Sequence, residues 1–294
     1  MIDFLQLTVA GLSAGSAYGL VAVGFVTIHS VTGIINLAQG EFAMVAAFVA
    51  IALLAAGLPL PIAALLAVLV VALGAAAVER VAIAPAAGSS VVAYIMLTLG
   101  VSITLKASAL LIEGPQPSAL PAFTPGILSF GGVLVRPQDL WILAATAVAA
   151  LGLYGFLERT VTGKAFRACA EQPTAARLVG ISPSRMSTLS FVLAGVVGAV
   201  AGVASSPVIQ TDWNIGLFLG LKGFVAASLG GLASIPAAIA GGLLLGVVES
   251  LGAFYISSGL RDAIAFFVLI VVLVARPSGV FSTHAGVRAG VRAH

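Results

Sequence analysis

The sequence predicts an all-α polytopic membrane protein. Of its 294 residues, 61% are hydrophobic and only 8% charged, against about 25% charged in soluble domains. Apolar runs recur along almost the whole length, each near the ~20 residues that a helix needs to cross a bilayer. Only helices and closed barrels satisfy their backbone inside lipid, and runs this long and unbroken read as helices. Hydropathy places spans near 5–28, 36–57, 61–79, 90–112, 140–157, 187–205, 214–232, 237–257 and 262–276, nine in all, with eight to ten as the limits of the segmentation.

The first span opens without a lysine or arginine in MIDFLQLTVAG, so it reads as a span with a short acidic lead and not as a signal peptide. It carries Gly11, Gly15 and Gly19, a small-residue stripe repeated as Gly198–Gly202 and Gly242–Gly246. Such stripes let backbones touch, either within the bundle or along a dimer seam. His29 lies near the far end of this span and reads as an interfacial histidine. The second span begins with Asn36, Gln39, Gly40 and Glu41. A carboxylate there costs about 2.5–3.5 kcal/mol to insert, so it faces a protein interior or a water-filled path.

Thr98, Ser102, Thr104 and Lys106 form a polar face in the fourth span. The seventh, 214–232, holds Asp212 and Asn214 at its head and Lys222 within it, polar enough to be broken or re-entrant. Glu249 lies inside the eighth. Asn36, Gln39, Glu41, Thr98, Ser102, Lys222 and Glu249 are therefore the candidates for a transport path. Glu41 and Glu249 could equally pair with Lys106 or Lys222 as structural ion pairs that fix helix register. An internal echo, GLVAVGF…GEF against GFVAASL…VVES, hints at the repeats and broken helices of transporters.

Basic residues set the orientation. Alternating sides put Arg80, Arg159, Lys164, Arg167, Arg177, Arg185, Arg276, Arg288 and Arg292 on one side, and Arg136 and Arg261 on the other. The positive-inside rule makes the first side cytoplasmic, with the N-terminus outside and the C-terminus cytoplasmic. Residues 1–277 form one transmembrane domain, and 278–294 a short basic cytoplasmic tail near anionic headgroups.

Two long connections fall on opposite faces. The external one, 113–139, is punctuated by Pro115, Pro117, Pro121, Pro125 and Pro137 and suits an ordered lid, with a short hairpin around ILSFGGVLV. The cytoplasmic one, 158–185, breaks into short helices at Pro173 and Gly180, and Ser182-Pro183 caps the next span. Over Lys164 to Gln172 it places Ala165, Phe166, Cys169 and Ala170 on one side, with Arg167 and Glu171 at i, i+4 on another. An apolar patch in so short a loop favours docking into a partner over free solvation.

The lone Cys169 rules out an internal disulfide and any CxxC metal or redox site. Thr162-Gly163-Lys164-Ala165 lacks both the leading glycine and the closing Ser/Thr of a phosphate loop. No metal cluster, GxSxG elbow or catalytic carboxylate pair is present, so the chain is expected to be no enzyme, to bind no cofactor or metal and to contact no nucleic acid.

Four blocks in order, GSAYGLVAVGFVTIHSVTGIINLAQGEFAMVAAF, RACAEQPTAARLVGIS, GLKGFVAASLGGLASIPAAIAGGLLLGVVES and FVLIVVLVARPSGVFS, resemble permeases of branched-chain amino-acid ABC importers, most closely the shorter of the two subunits in such systems. The resemblance covers nearly the whole chain. It implies a bacterial inner-membrane permease for leucine, isoleucine and valine, or in related systems for other amino acids, amides or urea. It also implies two cytoplasmic ATPase subunits that hydrolyse the ATP, a second related permease (a heterodimer in preference to a homodimer), a periplasmic binding protein, and surrounding lipid. The coupling loop of that family corresponds here to Ala165, Phe166, Arg167, Ala168, Glu171, Arg177 and Gly180. The rival class is an ion-coupled secondary carrier using Glu41 and Glu249.

Overall fold

The computed structural model describes residues 2–276, except Gly131 and Ala233, together with Gly279. The tail 278–294, with Arg288, Arg292, His284 and His294, thus lies outside the described residues apart from Gly279. The chain folds as α1 (Ile2–Thr32), α2 (Gln39–Ala55), α3 (Leu60–Val78), α4 (Val91–Glu113), a hairpin of β1 (Leu128–Phe130) and β2 (Val133–Val135), α5 (Pro137–Arg159), α6 (Val161–Glu171), α7 (Pro173–Leu178), α8 (Pro183–Ser205), α9 (Ile215–Leu229), α10 (Ile235–Tyr255) and α11 (Arg261–Ala275). Each apolar run expected from hydropathy falls on one of these helices. Six of them are long and apolar enough to cross a membrane.

Helix α1 is the axis of the bundle. Its most apolar stretch is 78% buried, against 17% for α4 and 22% for α5, and α5, α8, α9 and α10 all pack on it. The glycine stripes explain how. A Cβ at Gly11 would lie 2.8 Å from the Gly246 carbonyl oxygen, and one at Gly15 would lie 2.5 Å from that of Gly242. Gly202 of α8 likewise abuts the backbone of Ala43 in α2. The stripes are therefore seams between helices of this one chain, where lipid supplies no hydrophobic drive and van der Waals contact must.

Helices α2 and α9 pack on one another and are both short for a membrane, as is α11 with its 15 residues. At 1.5 Å per residue, α2 with 17 residues and α9 with 15 reach about 26 and 22 Å, below the ~30 Å hydrocarbon thickness. Helix α9 starts after an Asp212–Asn214 turn and ends at Gly230–Gly231, where Leu232 takes φ 52. Helices α2 and α9 meet at Gly40, whose missing Cβ admits the backbone of Gly216 and Gly220.

The loop at 113–139 is tied down. Its hairpin pairs Leu128 with Val135 and Phe130 with Val133. Ser118 bridges to Thr211 through two backbone bonds of 2.9 and 2.7 Å, the Ser206 hydroxyl accepts from the Leu120 amide, and Gln138 donates to the Ala204 carbonyl at 2.8 Å. A π-turn over Glu79–Ile83 and a 3-10 turn over Ala84–Ala86 extend α3 beyond the expected span end.

Candidate functional site

Buried charge is concentrated where α1, α9, α10 and α11 meet. Glu249 is completely buried, and its Oε1 accepts from Lys222 Nζ at 2.8 Å, Arg261 Nε at 2.6 Å and the Tyr18 hydroxyl at 3.2 Å. Lys222 also reaches Asp262 Oδ1 at 2.8 Å and sits 5.3 Å from the Tyr18 ring centre. Two cations and two carboxylates make the cluster formally neutral, as burial in low dielectric requires. Of the two pairings open to Glu249, the fold uses Lys222. Sequence reasoning used Arg261 only as a basic residue on the external side, and did not single out Tyr18 or Asp262.

Glu41 has a different setting. It is 1% exposed, and its Oε1 accepts from the Ser102 hydroxyl of α4 at 2.8 Å. Its Oε2 has no hydrogen-bond partner and lies against Gly216, where a Cβ would collide with it. The ion pair with Lys106 that was open to Glu41 is not made. Lys106 donates instead to Asn214 Oδ1 at 2.5 Å and lies 5.4 Å from the Trp213 ring centre. Thr98 is buried beside this face, but its hydroxyl bonds only the Ile95 carbonyl.

Two amides complete the head of α2. Gln39 Nε2 donates to the Ala194 carbonyl of α8 at 3.0 Å, while its Oε1 is unpartnered. Asn36 uses Oδ1 to accept from the Ala38 amide, an Asx turn that starts the helix, and its Nδ2 is buried without a partner. Of the seven path candidates, then, Glu41 with Ser102 and Lys222 with Glu249 are brought together. Glu79 is a buried carboxylate that sequence reasoning did not single out; it accepts from Ser187 at 2.8 Å and Thr188 at 2.7 Å on the first turns of α8.

The loop 158–185 corrects one expectation. Helix α6 starts at Val161, ahead of Lys164, because the Thr160 hydroxyl accepts from the Gly163 amide at 2.9 Å. Its apolar side does not face outward: Phe166 and Cys169 are 2% and 1% exposed, with Phe166 in the same core as Leu153 and Leu157. Close approach of α6 to α5 at Gly163, where a Cβ would strike Phe156 and Leu157, presses them inward. Arg167 pairs with Glu158 at 2.5 Å and not with Glu171. Besides Val161 at the start of α6, 84% exposed, the outward apolar groups of this loop are Leu178 and Val179, 86% and 75% exposed, on and just after α7. They are flanked by exposed Arg177 and by Gly180, whose φ of +84 reverses the chain. Ala165 and Ala168 are half-buried and Glu171 is exposed. Burial raises the Cys169 thiol pKa, with Arg177 nearby acting in the opposite sense.

Comparison with known proteins places this architecture. A family described as branched-chain amino acid transport system / permease component matches residues 7–273. The chain is 37% identical to the high-affinity branched-chain amino acid transport system permease protein BraD of Pseudomonas aeruginosa, covering 94% of this chain and 95% of that one. It is 34% identical to LivH of Escherichia coli K12 at the same coverage. It is 26% identical to a probable LivH of Methanocaldococcus jannaschii, over 89% and 87% of the two chains. Among solved structures, PsaBC of Streptococcus pneumoniae in complex with Fab overlaps 92% of this chain and 91% of its own, at 16% identity and a TM-score of 0.48. The chain belongs to the permease-component family of branched-chain amino acid transport systems.

Proposed function

We propose that this chain forms the inner-membrane path of an ATP-driven importer of leucine, isoleucine and valine. Residues 1–277 act as one permease domain of nine spans, with the N-terminus outside and the C-terminus cytoplasmic, an arrangement that the distribution of Lys and Arg supports. The observation that carries the reading is the pair of short helices α2 and α9. They bring Glu41 and Lys222 into the bundle and touch through Gly40 and Gly216. Short or interrupted helices bearing buried polar groups are where transporters build substrate paths.

This chain contributes no ATPase chemistry; two cytoplasmic ATPase subunits supply it, beside a second related permease and a periplasmic binding protein. The ATPases engage α7 through Leu178 and Val179, with Arg177, Gly180 and Glu171 around them. Arg167, paired with Glu158, and the buried Phe166 hold α6 to α5, so that movement of α7 reaches α5. Closure of the ATPases on ATP then tilts the spans and alternates access to the path.

The test is uptake of labelled leucine into proteoliposomes holding the complete transporter. ATP-dependent uptake that resists collapse of the proton and sodium gradients is expected. Uptake that follows either gradient and survives removal of the ATPase subunits would establish a secondary carrier instead. Leu178→Asp should reduce co-purification of the ATPase subunits while leaving membrane insertion intact, and unchanged co-purification would refute docking through α7.

A further inference from the structure

A cavity lies apart from the α2–α9 contact. It has a volume of about 450 Å³ and is walled by one end each of α1, α5, α8, α10 and α11, with Ser13, Arg136, Ile142, Ile209, Phe254 and Arg261 among its lining. That size falls within the ~300–1,000 Å³ of small-molecule sites, which combine mostly apolar walls with a few placed polar groups.

The polar groups here have spare capacity. Ser13 is 2% exposed and its hydroxyl has no hydrogen-bond partner. The other serine and threonine hydroxyls of α1 (Thr8, Ser16, Thr27, Ser30 and Thr32) each donate to a carbonyl three or four residues back. Ser13 alone among them leaves its helix unserved and lines the cavity. Arg261 commits only Nε, to Glu249; among the described residues its two terminal nitrogens donate to nothing. Arg136 commits Nε and one terminal nitrogen to Asp139, which leaves its other terminal nitrogen uncommitted among the described residues. No carboxylate lines the cavity. Both cations are already matched by carboxylates, so what its polar side offers an oxyanion is uncommitted N–H and O–H donors, and its other side, with Ile142, Ile209 and Phe254, suits a branched aliphatic group.

We infer that this chamber is a binding site for a small aliphatic carboxylate. The Arg261 guanidinium takes the carboxylate, the Ser13 hydroxyl takes a second polar atom, and the apolar wall takes the side chain. Resting on the importer reading, the occupant is the amino acid on the external side, before it reaches the α2–α9 contact. Arg261 then links the two places, because the same side chain holds Glu249 through Nε.

The experiment uses Ala253→Cys, on the chamber wall, in the full chain with its companion subunits in spheroplasts. Labelling with a membrane-impermeant maleimide is timed with leucine, 4-methylpentanoate (no amine) or leucinamide (no carboxylate). The parent protein is the blank, since its only cysteine, Cys169, is buried. Ala10→Cys, on the α1 wall, is a second reporter should the first variant fail to insert. At about four times its dissociation constant an occupant should slow labelling about fivefold. Leucine and 4-methylpentanoate should do so, leucinamide should not, and Arg261→Gln should abolish the protection. Equal labelling with and without both carboxylates, or protection by leucinamide as strong as by leucine, would overturn the inference. Protection without ATP-dependent leucine uptake would keep the chamber and reject the importer; uptake without protection would reject the chamber alone.

Discussion

Replacing Glu249 by leucine is the sharpest probe of the buried charge cluster. The carboxylate is fully buried and one oxygen serves three donors. Removing it returns Arg261, half exposed, to water at little cost, but leaves Lys222 with a side chain only 10% exposed. Stranding one partner of a buried pair costs about 3–5 kcal/mol. Lys222 keeps Asp262 at 2.8 Å, which places this case near ~3 kcal/mol, or a fall of roughly 6 °C at the ~2 °C per kcal/mol of a chain this size. Adding Lys222→Met removes the stranded charge and should restore most of the loss. The remainder, about 1 kcal/mol, is the buried Tyr18 hydroxyl left without a strong acceptor, and Tyr18→Phe in the triple variant should recover it. Thermal unfolding of purified protein, followed by monodispersity on size-exclusion chromatography, reads the series. A single variant as stable as the parent, or a double variant no better than the single, would refute the account.

Three further outcomes follow from the packing. Gly15→Ala should cost about 1–3 kcal/mol by overpacking, because its methyl would meet the α10 backbone, whereas Gly100→Ala, with open space around it, should be harmless; comparing the yield of monodisperse protein decides. Cys169 should resist alkylation at neutral pH in the folded protein, since burial both covers the thiol and raises its pKa; the thiolate fraction grows only as pH rises toward that raised value, and rapid labelling at pH 7 would contradict this. Glu41→Gln keeps an acceptor for Ser102, so it should fold with parental stability and lose most of its uptake; uptake at the parental rate would remove Glu41 from the path.

Helix positions were legible because a backbone in lipid must satisfy itself within each segment, so hydropathy alone marks where α1 or α8 lies. Local punctuation was equally readable: Ser182 caps α8, and the Gly-Gly turn announced the hairpin from Leu128 to Val135. Glu249 stood among the possible partners of Lys222, but Tyr18 and Asp262 did not, since Tyr18 lies 204 residues away in sequence and no local spacing encodes which helices touch. The outward face of α6 was misjudged for a related reason. Phe166 and Cys169 share a face at helical spacing whichever way that face turns, and what turns it inward is Gly163 against α5. Arg167 likewise found Glu158 across the α5–α6 corner instead of Glu171 on its own helix.

The seam between α1 and α10 is backbone against backbone, from Gly11 to Gly246. Such a surface has no teeth. Interlocked leucines can shift only by changing rotamers together, whereas facing glycines present a smooth track along which one helix can slip or roll against another. What resists that slip is side chain, at two places: the Ser250 hydroxyl of α10, which donates to the Leu7 carbonyl of α1 at 2.8 Å, and the salt-bridged cluster fastening α9, α10 and α11 together, to which the Tyr18 hydroxyl of α1 donates. The mechanical unit on one side of the track is therefore a riveted block of three helices, and the unit on the other is α1. A drive applied anywhere on that block is delivered whole to the seam.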